Sequence, residues 1–357
     1  MDYINSITEA IGHTPLLKLN KVGKDVGANV FVKLEHLNPS GSYKDRMALA
    51  MIEAAERGET WNGRKITPGG TVVEASAGNT APAVALVSAA KGYQCKIYLY
   101  RYQIEGGHNT RVLITQAYGP EVAISSEPEV YLTEEQIREF KVTHPDQLHV
   151  IAAKMDCELI ERNNENTVWL DQIYNNNNYL GQKSLGEEIY QQLDGKIDAF
   201  GCSTGSGASL LGSCLAFKDH GLRPELIFAA VPEGSEVYFD MDKPVSKRGE
   251  FRFSDKCREV AAGMGLDKWV TEKSIVQQMI EAGYPDRLYQ ITSEEARAMA
   301  DRLCREEGIY CGMSSGANVA VALKIAQELG PGKNVVTTIV DRRDRYLSEV
   351  PFEKYVV

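Results

Sequence analysis

A lysine between small turn residues, followed by an apolar helix, constrains the fold of this chain more than any other feature. Residues 30–34 alternate as a β-strand does, and residues 47–52 are apolar and rich in alanine, as in a buried helix. The intervening segment 38–46 begins with the small turn residues Asn, Pro, Ser, Gly and Ser and contains Lys44. The pattern predicts a strand-to-helix turn with Lys44 at the start of the helix.

This position favours a reactive amine at Lys44. The positive end of a helix and partial burial both lower the pKa of a lysine from its reference of about 10.4. A neutral lysine is a nucleophile that forms Schiff bases with aldehydes. A lysine in a loop is more often an ordinary solvated charge, so this turn alone leaves both interpretations open.

Length and charge narrow the class of protein. The chain has 357 residues, of which 43% are hydrophobic and 25% charged, enough for a large core divided between two lobes. Its formal net charge of -10 argues against an electrostatic grip on nucleic acid or an anionic membrane. A small-molecule partner is the better expectation.

The cysteines and the amino terminus indicate a cytoplasmic protein without a metal site. The seven cysteines are widely spread, with no C-x-x-C pair and no zinc-like histidine spacing. The amino terminus lacks a basic region followed by an apolar run, and no stretch of 18 apolar residues occurs. We therefore expect reduced thiols and no export or membrane insertion.

Three further segments repeat the order strand, polar turn, helix. Their turns lie at residues 75–80, 201–209 and 312–316, and strands are predicted just before them at 71–74, 197–200 and 309–311. Such alternation predicts a parallel sheet with helices on its faces. The turn at 201–209 is the richest in Gly and Ser, and helix N-termini bind anions, but it does not match an ATP-type phosphate loop.

Other segments suggest surface structure. Residues 125–147 are interpreted as a surface excursion that carries a helix at 133–140. The asparagine run 175–178 predicts a solvated loop. Ser184 to Glu187 has the spacing of a capping box, which predicts a helix over 188–193.

The four turns would meet at the carboxyl ends of parallel strands, where α/β sheets bind ligands. Together they supply an amine, a carboxylate cradle, a phosphate cradle and a neutral hydroxyl. This set fits pyridoxal phosphate (PLP).

The motifs resemble those of the fold-type II PLP enzymes, specifically the cysteine synthase and cystathionine β-synthase group. Segment 38–46 is similar to N-P-x-G-S-x-K-D-R, 76–80 to T-S-G-N-T, 205–209 to G-T-G-G-T, and 312–316 to G-I-S-S-G. The resemblance covers nearly the whole chain.

The resemblance implies an α/β fold of the tryptophan synthase β type, with two open α/β/α domains and the cofactor between them. It implies a smaller, mobile domain over 48–160 and a larger PLP-binding domain made of 1–47 plus 161–357. A homodimer is expected from the family, and neither a regulatory domain after Tyr346 nor a haem-type extension before the catalytic region is expected.

The resemblance also implies residue roles. Lys44 carries the cofactor, Asn79 contacts its 3′-oxygen, Ser314 meets the pyridine nitrogen, and the phosphate is bound by Gly205, Ser206, Gly207, Ala208 and Ser209. The substrate carboxylate and its surroundings are assigned to Ser76, Ala77, Thr80, Gln172 and Gly263. Ala77 replaces the usual serine, and 341–343 (Asp-Arg-Arg) replaces the D-S-G of the family.

The implied reaction is β-replacement on an O-activated serine, serine or cysteine through an aminoacrylate. Its simplest form makes cysteine from O-acetylserine and sulfide, with Lys44 taking the α-proton. Three alternatives remain: a β-eliminating lyase such as a cysteine desulfhydrase or serine/threonine dehydratase, a diaminopropionate-type synthase that adds an amine, and a non-catalytic binding protein on the same scaffold. The sequence does not identify the leaving group or the nucleophile.

Overall fold

The computed structural model describes residues 3–60, 62–100, 110–143, 148–233 and 273–349. These residues divide into two compact units, of which the first holds 3–47, 178–233 and 273–344 and the second holds the remainder. The division follows residue 177 rather than residue 160. The reason is that the strand Thr167–Trp169 pairs with the strand Thr71–Ala75 and so belongs to the sheet of the second unit.

The first unit is built on a six-stranded sheet in the order β1-β2-β10-β7-β8-β9. Its strands are β1 (Leu16–Lys18), β2 (Asn29–Leu34), β7 (Ala199–Ser203), β8 (Leu226–Pro232), β9 (Arg287–Ile291) and β10 (Asn334–Ile339). All neighbouring strands are parallel except β1, which is antiparallel to β2. The carboxyl ends of β2, β10 and β7 therefore lie side by side at the same end of the sheet.

Helices cover both faces of this sheet. They are α6 (Asn177–Gln192), α7 (Ala208–Asp219), α8 (Ile275–Glu281), α9 (Ser293–Arg302) and α10 (Met313–Leu329). Helix α1 (Lys44–Arg57) begins in this unit and continues into the second. Strand β8 shows the two-sided burial: Phe228 and Ala230 pack into one hydrophobic cluster, and Ile227 and Ala229 into the other. A strand buried on both faces reads as a continuous apolar run, which is how β8 appears in the sequence.

The second unit contains a four-stranded parallel sheet in the order β5-β4-β3-β6. Its strands are β3 (Thr71–Ala75), β4 (Gln94–Leu99), β5 (Glu121–Ile124) and β6 (Thr167–Trp169), and its helices are α2 (Thr80–Lys91), α3 (Thr110–Ala117), α4 (Glu134–Thr143) and α5 (Leu148–Asn163). The parallel, alternating architecture agrees with the sequence prediction. Across the described ranges, no helix has the length and apolar character needed to span a membrane.

The excursion at 125–147 forms the predicted helix, α4, but it is not confined to the surface. Leu132 and Ile137 are buried and pack into the same hydrophobic cluster as Trp169 of β6. Part of this segment is therefore core: Leu132, just before α4, and Ile137, within it, join the cluster that covers the sheet.

The asparagine run does not form a solvated loop. Asn175 is buried; its N–H donates to the Asp171 carbonyl at 3.0 Å and its side-chain amide to the Leu170 carbonyl at 2.8 Å. Helix α6 begins at Asn177, so Ser184 lies inside the helix and caps nothing. Asn175 Oδ1 also accepts from the Asn177 N–H at 3.0 Å, one of the backbone donors that have no partner within the helix.

The strand predicted before the fourth turn is also absent. In this described stretch Cys311 forms a single antiparallel bridge with Arg342, and no ladder follows. Helix α10 therefore starts from an irregular segment.

Candidate functional site

Side-chain contacts hold the turn that precedes α1. The Ser40 N–H donates to Asp45 Oδ2 at 2.6 Å, and the Ser40 hydroxyl donates to the other oxygen of this carboxylate. The Lys44 N–H donates to the Ser42 hydroxyl at 3.3 Å. Gly41 has a φ of +90°, a conformation that other residues rarely adopt. These contacts place Lys44 at the first residue of α1.

The Lys44 side chain is half-buried, with its Nζ 4.8 Å from the centre of the Tyr43 ring. Burial raises the pKa of the nearby Cys202 thiol to about 12, although the charge of Lys44 acts in the opposite direction. Burial also raises the pKa of Tyr43, whose hydroxyl is hydrogen-bonded to Ser209. Both groups therefore keep their protons at neutral pH, and neither serves as a base beside Lys44.

The turn between β7 and α7 forms a concavity lined by Tyr43 and residues 203–207, 209 and 210. Gly207 has a φ of +83°, and a Cβ there would lie 3.0 Å from the Met279 sulfur, so glycine is required. The first N–H groups of α7 have no acceptor within the helix. The Thr204 hydroxyl oxygen is buried without a hydrogen-bond partner in the described part of the chain. The turn is thus rich in donors for an anion.

The turn that carries Ser314 is tied to the end of β10. The Gly312 N–H donates to the Asp341 carbonyl at 3.1 Å, and the Val340 N–H donates to the Ser315 hydroxyl at 2.9 Å. Ser314 itself is half-buried in the first turn of α10. Its hydroxyl is a neutral polar group at the same end of the sheet as the Lys44 turn.

The arginine pair that departs from the family pattern is engaged in local contacts. Arg343 donates to the Asp301 carboxylate at 2.6 Å and to the Cys311 carbonyl at 3.1 Å. Arg342 forms an ion pair with Asp344. These contacts support the backbone that leads to Ser314.

In the second unit, the loop between β3 and α2 is closed by its own polar groups. The Gly78 N–H donates to the Ser76 hydroxyl at 3.1 Å, and the Thr80 hydroxyl donates to Gln172 Oε1 at 2.6 Å. Ala77 is buried between them. Gln172 thus comes from a distant part of the sequence to the start of α2.

Asn79, at the start of α2, has an arginine partner that the sequence does not indicate. Arg345 Nη1 donates to Asn79 Oδ1 at 2.7 Å, and the Arg345 side chain is almost fully buried. Because the amide oxygen accepts this bond, the arginine fixes the orientation of the Asn79 amide.

A buried ionisable cluster lies behind the same loop. Glu74 accepts hydrogen bonds from the Ala75 N–H at 2.8 Å and the Gln172 N–H at 3.2 Å. Next to Gln172, the Asp171 carboxylate pairs with Lys154 at 2.9 Å. Burial, and then the charge of Asp171, raises the pKa of Glu74 to about 8.

The candidate residues are therefore grouped within each unit. In the first unit, three turns follow strands or segments at the carboxyl end of the six-stranded sheet, and they carry Lys44, Ser314 and the set Gly205, Ser206, Gly207, Ala208 and Ser209. The loop region of the second unit brings together Ser76, Ala77, Asn79, Thr80 and Gln172. Gly263 lies outside the described residues.

The family model described as "Pyridoxal-phosphate dependent enzyme" matches residues 7–341. The chain belongs to this family. PLP is accordingly its cofactor.

Relatives of this PLP-dependent enzyme include a cysteine synthase from Staphylococcus aureus, which is 34% identical over 348 residues, 97% of this chain and 96% of that protein. Among solved structures, a hydrogen sulfide-producing enzyme from Fusobacterium nucleatum has a TM-score of 0.74 at 26% identity, covering 97% of this chain and 99% of the other. An O-acetylserine dependent cystathionine beta-synthase from Helicobacter pylori has a TM-score of 0.73 at 25% identity, covering 99% and 100%. The fold is that of the fold-type II PLP enzymes.

The first unit contains the donors that PLP requires. A phosphate needs a concavity with several N–H and hydroxyl donors, and the turn at 203–210 supplies them, including the unpartnered Thr204 hydroxyl. An aldehyde needs an amine, and the half-buried Lys44 is the neighbour of Tyr43, which lines the same concavity. The residues present fit the cofactor.

Three residues beside the candidate site residues were not predicted from the sequence. They are Tyr43 in the first unit and Glu74 and Arg345 in the second. Tyr43 stands beside Lys44 and could have been noticed from that position. Glu74 is the lone charge in an apolar strand, 71–75, which is a usable signal because buried carboxylates are rare. Arg345 lies 266 positions from Asn79, and no local signal joins the two residues.

Proposed function

We propose that this enzyme catalyses β-replacement and makes cysteine from an O-activated serine, most simply O-acetylserine, and sulfide. One observation carries the proposal: Lys44 begins α1 beside an anion-binding turn, in a chain of the PLP-dependent family. The likeness to a cysteine synthase and to an O-acetylserine dependent enzyme supports the reaction class.

Within the first unit, the cofactor's aldehyde is bound covalently by Lys44 and its phosphate by residues 205–209 with the N-terminus of α7. The half-buried hydroxyl of Ser314 would form a hydrogen bond with the pyridine nitrogen of the cofactor. A hydroxyl holds a proton on that nitrogen less firmly than a carboxylate does. This arrangement favours rapid loss of a β-substituent over a long-lived carbanion.

Residues of the second unit recognise the substrate. The substrate carboxylate is bound by Ser76, Thr80 and Gln172 together with the backbone at Ala77. Gly263 is assigned to the lining of the substrate site. Thr80 donates to Gln172 Oε1 at 2.6 Å, which directs the opposite, donor end of the amide. Asn79, whose oxygen accepts from Arg345, is likewise directed to donate through its NH₂ group, to the 3′-oxygen of the cofactor.

Bound PLP supplies an electron sink for the α-carbon. The amine of Lys44 would remove the α-proton of the substrate. The leaving group departs from Cβ with its bonding electrons, the nucleophile forms a new bond at Cβ, and Lys44 returns the proton to Cα. Cys202 and Tyr43 keep their own protons, so neither group competes with Lys44 as the base.

A β-elimination is the second candidate, and the likeness to a hydrogen sulfide-producing enzyme favours it. Elimination shares the removal of the α-proton and loss of the β-substituent, and then yields pyruvate and ammonia instead of a new bond at Cβ.

The two reactions are separated by their products. We expect the purified enzyme with O-acetylserine and sulfide to form cysteine, and to form it faster than pyruvate. A panel with O-phosphoserine, serine and cysteine as donors, and with an amine in place of sulfide, defines the leaving group and nucleophile. Pyruvate as the main product in the presence of saturating sulfide would contradict replacement.

The enzyme is further proposed to be a cytoplasmic homodimer. The six cysteines that fall within the described residues are all free, as in a reducing compartment, and the family resemblance favours a dimer. Light scattering on the purified protein is expected to give twice the chain mass; a monomer would contradict the assembly.

A further inference from the structure

We propose that Glu74 is a positioning residue that links binding of the substrate carboxylate to protonation of a buried acid. The inference rests on the carboxylate site proposed above. It adds a residue that does not touch substrate but determines when the site accepts an anion.

The hydrogen bonds of Glu74 reach both sides of the carboxylate site. One oxygen accepts from the Ala75 N–H at 2.8 Å, directly before the Ser76 loop, and the other accepts from the Gln172 N–H at 3.2 Å. The side chain of Gln172 in turn accepts from Thr80 at 2.6 Å. Glu74 therefore holds the main chain of Gln172 while Thr80 holds its side chain.

Among the described residues, the titratable side chains that interact with Glu74 include Asp171, Lys154, Cys95 and Cys157. Burial raises the pKa of both cysteines, so the thiols stay neutral. The cluster then consists of two carboxyl groups and one ammonium, all nearly fully buried. With both carboxyls ionised it is negative, and a substrate carboxylate would add a second negative charge in a region of weak screening.

The protonated form of Glu74 removes this repulsion. Burial and the charge of Asp171 raise its pKa to about 8, although the two backbone hydrogen bonds and Lys154 act in the opposite direction. A bound anion nearby raises the pKa further. As pH rises above 8, Glu74 of the free enzyme loses its proton. Binding of the substrate carboxylate must then be accompanied by protonation of Glu74. Affinity then falls by up to about tenfold per pH unit.

The test is a titration of the holoenzyme with L-alanine, which has a carboxylate but no β-leaving group, followed by the cofactor absorbance between pH 7 and 9.5. At each pH, the dissociation constant of wild type is divided by that of Glu74→Gln. Ionisation of alanine affects both constants equally, so it cancels in this ratio. We expect this ratio to rise about tenfold between pH 8 and 9.5, with wild type weakening.

Asp171→Asn is the second variant. Asp171 has a φ of +44°, which asparagine tolerates, and its loss removes the neighbouring negative charge that acts most on Glu74. We expect the pH dependence to persist but to move to lower pH. An unmoved profile in Asp171→Asn, or parallel profiles in wild type and Glu74→Gln, would overturn the inference and leave the proposed function intact.

A measurement on the protein without substrate completes the design. An acid with a raised folded pKa stabilises the fold most below its unfolded pKa of 4.5, and this contribution is lost as pH rises towards 8. In urea unfolding, wild type should therefore lose stability relative to Glu74→Gln between pH 5 and 8, and a constant difference would contradict the inference. No absorbance change with alanine in wild type at any pH would instead overturn the carboxylate site itself.

Discussion

Lys44→Ala is expected to lose the covalent link to PLP and at least about a thousandfold of the β-replacement activity. One amine both binds the aldehyde and carries the α-proton in the proposed mechanism, and general-base catalysis alone contributes about 10²–10⁴-fold. Reduction of wild type with borohydride should leave the cofactor fixed on the peptide that contains Lys44, which mass spectrometry identifies. The variant should carry no such adduct.

Two controls separate this chemistry from loss of charge or of fold. Lys44→Arg keeps a cation at the start of α1 but cannot bond the aldehyde, so it should be equally inactive. Lys183→Ala removes a surface lysine that pairs with Asp219, and it should keep the adduct and the activity. A reducible adduct on another lysine of Lys44→Ala would refute the assignment.

The turns that the sequence predicted correctly have local causes. The Lys44 turn needs a small residue with positive φ at Gly41, and the turn before α7 needs one at Gly207. Both requirements are visible in composition, because glycine, serine and apolar periodicity mark a strand-turn-helix without any tertiary information. The parallel α/β architecture follows from the repetition of such segments.

The errors and omissions arise where distant residues decide the structure. Gln172 accepts from Thr80 and donates through its N–H to Glu74, which lies 98 positions away. The asparagine run looks solvated by composition, yet Asn175 is buried because it satisfies backbone groups before α6. Pairings of this kind depend on the folded sheet, so no window of sequence contains them.

The contacts of Arg46, in segment 38–46, also could not be predicted from the local sequence. Its guanidinium makes a two-point contact with Glu35, at 2.8 and 2.9 Å, and a second one with Glu188, at 2.6 and 2.8 Å. Glu188 also pairs with the buried Lys33 at 2.7 Å. The two residues after Lys44 therefore stabilise the local structure. Asp45 closes the turn by accepting hydrogen bonds from Ser40, and Arg46 anchors the first turn of α1 through Glu35 and Glu188.

Burial makes this network sensitive to loss of one partner. Glu35 is fully buried, and although burial opposes ionisation, Arg46 holds the pKa of its carboxyl below the usual value. The same arginine, with Lys33, lowers the pKa of Glu188 to about 2. Without Arg46, Glu35 must either stay charged without its cation or take up a proton.

We expect Arg46→Met to lower the free energy of unfolding by about 3–5 kcal/mol at pH 7, the cost of breaking a buried ion pair on one side. Urea unfolding measures it, with Arg302→Met as the matched control. Arg302 pairs with Glu306 on the exposed face of a helix, so its loss should cost at most about 0.5 kcal/mol.

The pH dependence of this difference identifies its origin. A carboxylate with a depressed folded pKa contributes stability that is present above its unfolded pKa of 4.5 and is lost as pH falls towards the folded value, about 2 for Glu188. The gap between wild type and Arg46→Met should therefore narrow as pH falls below 4.5. A gap that stays constant would show that Arg46 acts by packing alone. A loss below about 1 kcal/mol at pH 7 would show that the network does not anchor the helix that begins at Lys44.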